Sequence, residues 1–221
     1  MNTTPSLTTT WLPKGTVYGV LLNFQHEREL WAPHMSEPPY QAPPNAPVLY
    51  VKTANTFTPS GQPITLPADA PVEVAASLGL VMGAGGVAGI VLFNDVSIAH
   101  DSYYRPPVKT RCVDGFLGLG PECLPLDQLG GLDALTALEI ELHRNGVHKQ
   151  TTRLAEWVRD AMTLLTDVRE FMSLRPGDVL MTGTDCLPEG GRELVHAGDT
   201  VEIIAPGFKS VVHNFVAEEQ A

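Results

Sequence analysis

Apolar and polar side chains alternate from Ala137 to His143, which reads as a strand with one buried face, because successive side chains of an extended chain point to opposite sides. The Asn145–Gly146 pair that follows predicts a tight hairpin. Apolar runs at Val17 to Leu22, Val48 to Val51 and Val72 to Met82 read as buried strands, the second ending at Lys52. The third stops at Gly83 to Gly86, a turn by its context rather than a nucleotide loop. Val87 to Asp95 predicts helix and then strand. Val179 to Thr182 and Thr200 to Ile204 predict closing strands with Gly198–Asp199 as the turn between them.

Helical spacing is confined to two places. Asn23 to Trp31 accommodates one or two turns. Leu154, Trp157, Val158, Ala161, Leu164, Leu165, Val168 and Phe171 predict one long helix from Thr152 to Met172. Between these, Pro33, Pro38, Pro39, Pro43 and Pro44 forbid a regular helix and predict a long surface loop. The sum is an α+β chain, mostly β. A flexible tail over residues 1–15 precedes one domain over 16–217.

The 20 glycines and 19 prolines favour short strands and turns over a helix bundle. A net charge of -11 argues against nucleic acid, whose phosphates it would repel. It also means that an anionic ligand needs a local cluster of cations. No apolar run has the length of a membrane span, and no secretory pattern opens the chain, so a cytoplasmic protein is expected. Cys112, Cys123 and Cys186 are expected as reduced thiols, small buried side chains rather than a metal set.

His26 and Glu29 lie three apart, so a helical turn sets them on one face, where they could move a proton. A solvated turn is the alternative, since Glu27 and Arg28 surround them with charge. Arg105, Lys109 and Arg111 fall within seven residues and Lys52 ends a strand. Such cations suit a ligand with two or three carboxylates, or else an ordinary solvated face.

Four ordered stretches resemble the fumarylacetoacetate hydrolase family. They are Asn94 to Ser97, Arg111 to Pro121, Leu174 to Thr184 (Leu-Arg-Pro-Gly-Asp-Val-Leu-Met-Thr-Gly-Thr) and Ala197 to Val201. Within that family, Leu22–Asn23, the run ending at Pro44, Tyr103 to Pro107 and Cys112 to Phe116 are similar to a subgroup. These are the N-terminal halves of the bifunctional isomerase/decarboxylases of 4-hydroxyphenylacetate (homoprotocatechuate) degradation.

The resemblance implies a mixed β-sheet roll with one long helix, a bound Mg2+ or Mn2+ and a small diacid substrate. The implied reaction removes CO2 from a 2-oxo-hexenedioate carrying a carboxymethyl group, then shifts a double bond of 2-hydroxyhepta-2,4-diene-1,7-dioate. An alternative is a hydrolase of an acylpyruvate-like C–C bond. The resemblance also gives roles to residues. His26 and Glu29 would be catalytic on a lid, Lys52, Arg111 and Thr184 would hold substrate, and Asp95 would be a metal ligand. The family's two metal-binding glutamates, however, fall on Ala75 and Ser77. Glu73 shares their face but lies about 7 Å along the strand. A degenerate metal site is therefore expected. With it comes the alternative of a metal-poor, non-catalytic partner subunit of a homologous catalytic chain. In either case the resemblance implies a homodimer or a hetero-oligomer with a homologous subunit.

Overall fold

A computed structural model describes residues 10–100 and 108–218. Arg105, Tyr103 and Tyr104 lie outside the described residues. The chain starts with β1 (Val17–Leu21), α1 (Gln25–Trp31), β2 (Val48–Lys52), β3 (Phe57–Pro59) and β4 (Ile64–Leu66). A long hairpin follows, formed by β5 (Val72–Gly83) and β6 (Gly86–Ile98). Next come one helical turn, α2 (Val108–Arg111), then β7 (Leu117–Leu119) and β8 (Leu124–Pro125). A second hairpin pairs β9 (Glu139–Arg144) with β10 (Val147–Arg153). The last elements are α3 (Ala161–Arg169), β11 (Val179–Met181), β12 (Glu193–Val195), β13 (Thr200–Ile204) and β14 (Val211–Ala217).

Two mixed sheets carry the fold. The larger has the order β2-β1-β11-β5-β6-β7-β3, with β12 also on β5 and β8 also on β6; the smaller runs β10-β9-β13-β14-β4. Between them lies the main core. From the hairpin it takes Val74, Ala76, Leu78 and Leu80 with Ile90, Leu92 and Val96. Ile140, Leu142, Val201, Ile203 and Phe215 meet them from the smaller sheet, and Leu164, Leu165 and Val168 of α3 join the same cluster. Alternation then sends the odd-numbered side chains of β5 and β6 to the opposite face. There Val91 and Phe93 form a second apolar cluster with Val17, Leu117, Val179 and Met181. Farther along the same face polar residues take over: Ser77 and Glu73 on β5, with Ala75 between them, and Asp95 and Ser97 on β6. The β-rich, curled-sheet architecture is the expected one.

Several elements differ from the sequence reading. The helix is α3 alone, nine residues long. Asp160 caps it by accepting from the Thr163 N–H, so Leu154 and Trp157, for all their helical spacing, belong to the turn before it. Val87 to Asp95 is strand throughout, with every residue from Ile90 to Asp95 paired to β5. β11 and β13 are not joined by the Gly198–Asp199 turn; they lie in different sheets, with β12 between them in sequence. β3, β4, β7, β8, β12 and β14 stand outside the expected set. Trp11, within the segment expected to be a tail, packs edge-on against Phe93 at 6.2 Å. The Asn145–Gly146 hairpin is as expected, both residues taking positive φ. All three cysteines are free thiols.

Candidate active site

The site is built on the polar end of one sheet face. β2 and β1 are antiparallel with Lys52 opposite Val17 and Tyr50 opposite Gly19, which places Lys52 and Tyr50 on that face. Gly19 is required here. A Cβ at this position would run into the Tyr50 ring. Across β5 and β6, Ala75 is directly opposite Asp95 and Glu73 directly opposite Ser97. Arg111, at the end of α2, is folded down onto the same patch and is 3% exposed.

Asp95 is the hub. Lys52 Nζ lies 2.8 Å from its Oδ1, Arg111 Nη1 donates to Oδ2 at 3.1 Å, and the Tyr50 hydroxyl donates a short hydrogen bond to Oδ2. The Arg111 guanidinium also stacks over the Tyr50 ring, 4.4 Å from its centroid, a cation–π contact. Burial by itself would raise the Asp95 carboxyl, but the Lys52 and Arg111 charges outweigh burial and hold it below the usual carboxylate range. Burial lowers the Lys52 ammonium despite its Asp95 partner. Burial and the Asp95 charge push the Tyr50 phenol well up. Two cations on one carboxylate leave a net positive charge in a chain whose total is -11.

A second cluster adjoins the first. Glu73 Oε1 accepts from Ser97 Oγ at 2.8 Å and lies 3.9 Å from Arg192. Arg192 Nε donates to Thr184 Oγ1 at 2.9 Å, and its Nη2 meets Glu27 Oε1 at 2.5 Å. The charge of Arg192 reaches Tyr50, so the two clusters belong to one electrostatic neighbourhood. Glu27, Glu73 and Arg192 line a cleft of about 440 Å3 together with Trp31, His100 and Cys186.

His26 stands at a neighbouring cleft of about 410 Å3, lined also by Lys149, Gln150, Asp185 and Cys186. Its Nε2 is 3.2 Å from the Pro188 carbonyl. A carbonyl only accepts, so Nε2 bears the proton and Nδ1 is the basic nitrogen. Glu29 is exposed, and the carboxylate of α1 that turns inward is Glu27, 1% exposed. The apolar phase of the segment explains this: Phe24, Glu27 and Trp31 recur at i, i+3 and i+7 and face the protein. Lys109 is exposed on α2.

The structure thus gathers Lys52, Asp95 and Arg111 in one buried cluster, and places Thr184 in the adjacent one with Glu73. Ser77 donates to the Gly183 carbonyl at 2.7 Å. Tyr50, Glu27 and Arg192 were not anticipated. The helical phase set by Phe24 and Trp31 carries a signal for Glu27. Nothing in the sequence marks Arg192, which arrives on a glycine-rich loop.

A divalent ion does not fit the donors present. The oxygens of Asp95 are taken by two cations and a phenol, Ala75 opposite offers a methyl group, and Glu73 is held by Ser97 and Arg192. Mg2+ and Mn2+ want several oxygen ligands free of competing positive charge. Among the described residues no group of three or more His, Cys, Asp or Glu side chains is placed to hold a metal.

Residues 16–216 match the family profile described as "Fumarylacetoacetate (FAA) hydrolase C-terminal". A 4-hydroxyphenylacetate degradation bifunctional isomerase/decarboxylase of Salmonella dublin is 35% identical over 94% of this chain and 48% of its own length. The chain therefore spans about half the length of the curated relatives of this kind that it matches. Among solved structures, a 5-carboxymethyl-2-hydroxymuconate delta-isomerase from Mycobacterium smegmatis is 28% identical, with a TM-score of 0.72 over 93% of this chain and 80% of that one. A maleylpyruvate hydrolase from Sphingobium sp. SYK-6, solved with manganese(II) and pyruvate, shares the fold (TM-score 0.73, 94% and 72% covered) at 19% identity.

Proposed function

Because the chain belongs to the fumarylacetoacetate hydrolase family, we propose that it is an isomerase/decarboxylase subunit of 4-hydroxyphenylacetate catabolism. Its substrates in this reading are a carboxymethyl-bearing 2-oxo-hexenedioate and the 2-hydroxyhepta-2,4-diene-1,7-dioate formed by loss of CO2. The observation that carries it is the convergence of Lys52 and Arg111 on Asp95. This is a net positive centre buried in an acidic chain, and it suits an oxygen that gains negative charge.

The roles follow from the chemistry. Breaking the C–C bond to CO2 leaves its electron pair delocalised onto the 2-oxo oxygen. The Lys52 and Arg111 charges stabilise that dienolate, and Thr184 with its N–H and hydroxyl holds a carboxylate. The later double-bond shift takes the enol proton from oxygen and adds one to carbon, and His26 Nδ1, on a side chain that lines the 410 Å3 cleft, is the basic nitrogen that carries it. Bound Mg2+ or Mn2+ would supply Lewis acidity to such an enolate. Since the residues present do not fit the ion, no step here is assigned to it.

The direct test is to incubate the purified chain with the oxo-triacid and follow CO2 release and diene absorbance, with and without a homologous catalytic subunit. Turnover by the chain alone is the expected result; no CO2 under either condition overturns the proposal. One observation favours a second reading, a metal-poor partner subunit in a homologous hetero-oligomer: the methyl of Ala75 stands opposite Asp95. Activity seen only on mixing, and unaffected by His26→Ala, would select that reading.

A further inference from the structure

The wall of the His26 cleft carries a nearly buried carboxyl group. It belongs to Asp185, which directly follows Thr184 and is 6% exposed. Its Oδ1 accepts from the Cys186 N–H at 2.8 Å, and among the described residues no hydrogen bond or ion pair falls on Oδ2. The Cys186 carbonyl accepts from Gln150 Nε2 at 2.8 Å, so β10 holds the loop that presents Asp185. Gln150 lines the same cleft and is 7% exposed, and its Oε1 has no donor among the described residues. A buried acceptor is costly unless a donor reaches it, so this wall is built to meet a proton-bearing group. The surroundings of Asp185 favour its acid form. Burial raises the carboxyl and the Glu27 and Glu156 charges add to that, while the Cys186 N–H and His26 offset it only in part. The cations of β10 are turned to other acids: Lys149 lies 3.6 Å from Glu193 and Arg153 3.1 Å from Glu139. Cys186, pushed up to about 12 by burial, is too weak an acid to stand in for Asp185.

We propose that Asp185 is the catalytic acid that protonates carbon in the double-bond shift, paired with His26 as the base of the same cleft; this rests on the reaction proposed above. The enol O–H bond breaks, its proton goes to His26 Nδ1, and its electron pair completes the 2-oxo carbonyl. The diene π electrons move one bond along, and the pair at the carbon farthest from the hydroxyl takes the Asp185 proton. His26, now an imidazolium, returns its proton to the Asp185 carboxylate, whose charge it feels across the cleft. One proton has passed from oxygen to carbon and both side chains are restored, so no co-reactant is needed. Two groups are required because the oxygen and that carbon stand at opposite ends of the conjugated system, out of reach of a single nitrogen.

Asp185→Asn in the full chain tests it, since the amide keeps an oxygen for the Cys186 N–H and has no acid proton to give. The variant should convert 2-hydroxyhepta-2,4-diene-1,7-dioate about 100-fold more slowly than the native chain, while CO2 release from the oxo-triacid falls less than about threefold. In D2O the native product should carry deuterium on one face of the new CH2 group, read by NMR, and the residual Asp185→Asn product on both. Equal rates in the two proteins overturn the proposal. So does a slow variant that still delivers deuterium to one face, and so does a parallel loss of both activities. If Asp185→Asn does not fold, Asp185→Ser, which also keeps an acceptor for Cys186, must show the same split; unfolding of both assigns Asp185 to the fold and is equally fatal. A native chain that leaves the diene acid untouched refutes the reaction, and this inference with it. A native chain that converts the diene acid, with Asp185→Asn its equal, refutes the inference alone.

Discussion

Lys52 lies 2.8 Å from Asp95, yet its three N–H groups are aimed at the carbonyls of Val96, Arg111 and Phe116 at 2.7, 2.9 and 2.7 Å. The ammonium is thus fixed by the backbone of three segments and meets the carboxylate as a charge in place. Lys52→Met should remove the charge and the donor shared by three carbonyls, of which that of Phe116 keeps the Val96 N–H. A loss of about 3–5 kcal/mol in urea unfolding is expected. A loss under about 1 kcal/mol would mean that Lys52 does not anchor the site.

Gly19 makes room for Tyr50. Adding a methyl group at Gly19 drives the phenol ring off β1 and away from Asp95. Gly19→Ala should cost about 1–3 kcal/mol and displace the Tyr50 ring in a crystal structure. An unmoved ring with native stability would refute the packing argument.

Acid should weaken the fold in two stages. Burial lowers the His213 imidazole to about 4, with only partial relief from its Thr58 and Pro59 backbone partners. A folded-state value below the unfolded one means that the unfolded chain binds the extra proton, so stability falls as the pH drops from about 6.5 toward 4. The expected loss between pH 7 and pH 5 is about 2 kcal/mol, measured by urea titration. His213→Gln should flatten it. Asp95 is likewise held below its ordinary value, so its contribution is complete above that value and is lost only at still lower pH. A stability profile that is level from pH 7 to pH 5 would exclude the His213 stage.

Among the described residues His26 is hydrogen-bonded to the Pro188 carbonyl, and it is half-buried. His26→Ala should therefore leave the melting temperature near native while turnover falls by about 100-fold. Unchanged turnover would remove His26 from the reaction.

Much of the fold was legible because strands buried in a sheet advertise themselves. The runs at Val17, Val48 and Val72 and the Asn145–Gly146 turn all stand where local pattern sets them. Short strands such as β3 and β7 have no pattern of their own; each exists because a partner far along the chain supplies its hydrogen bonds. The extended helix expectation failed for a related reason. Leu154 and Trp157 have helical spacing but are buried in a turn, and Asp160 fixes where the helix begins. In the site, the family motifs brought out Lys52, Asp95, Arg111 and Thr184, and the missing carboxylates at Ala75 and Ser77. That Glu27 rather than Glu29 turns inward was readable only from the phase of Phe24 and Trp31. Arg192 was unreadable, since a loop cation gains meaning only from the acids that fold against it.

The β5–β6 hairpin carries the main core on its even-numbered side chains and the charged patch on its odd-numbered ones, over 12 and 13 residues. Inserting or deleting one residue near Ala75 would swap those two faces, sending carboxylates into oil and leucines into the cleft. Chemistry on this scaffold can therefore diversify by exchanging side chains in place, or by lengthening the loops around it, but not by changing the hairpin's length in its middle.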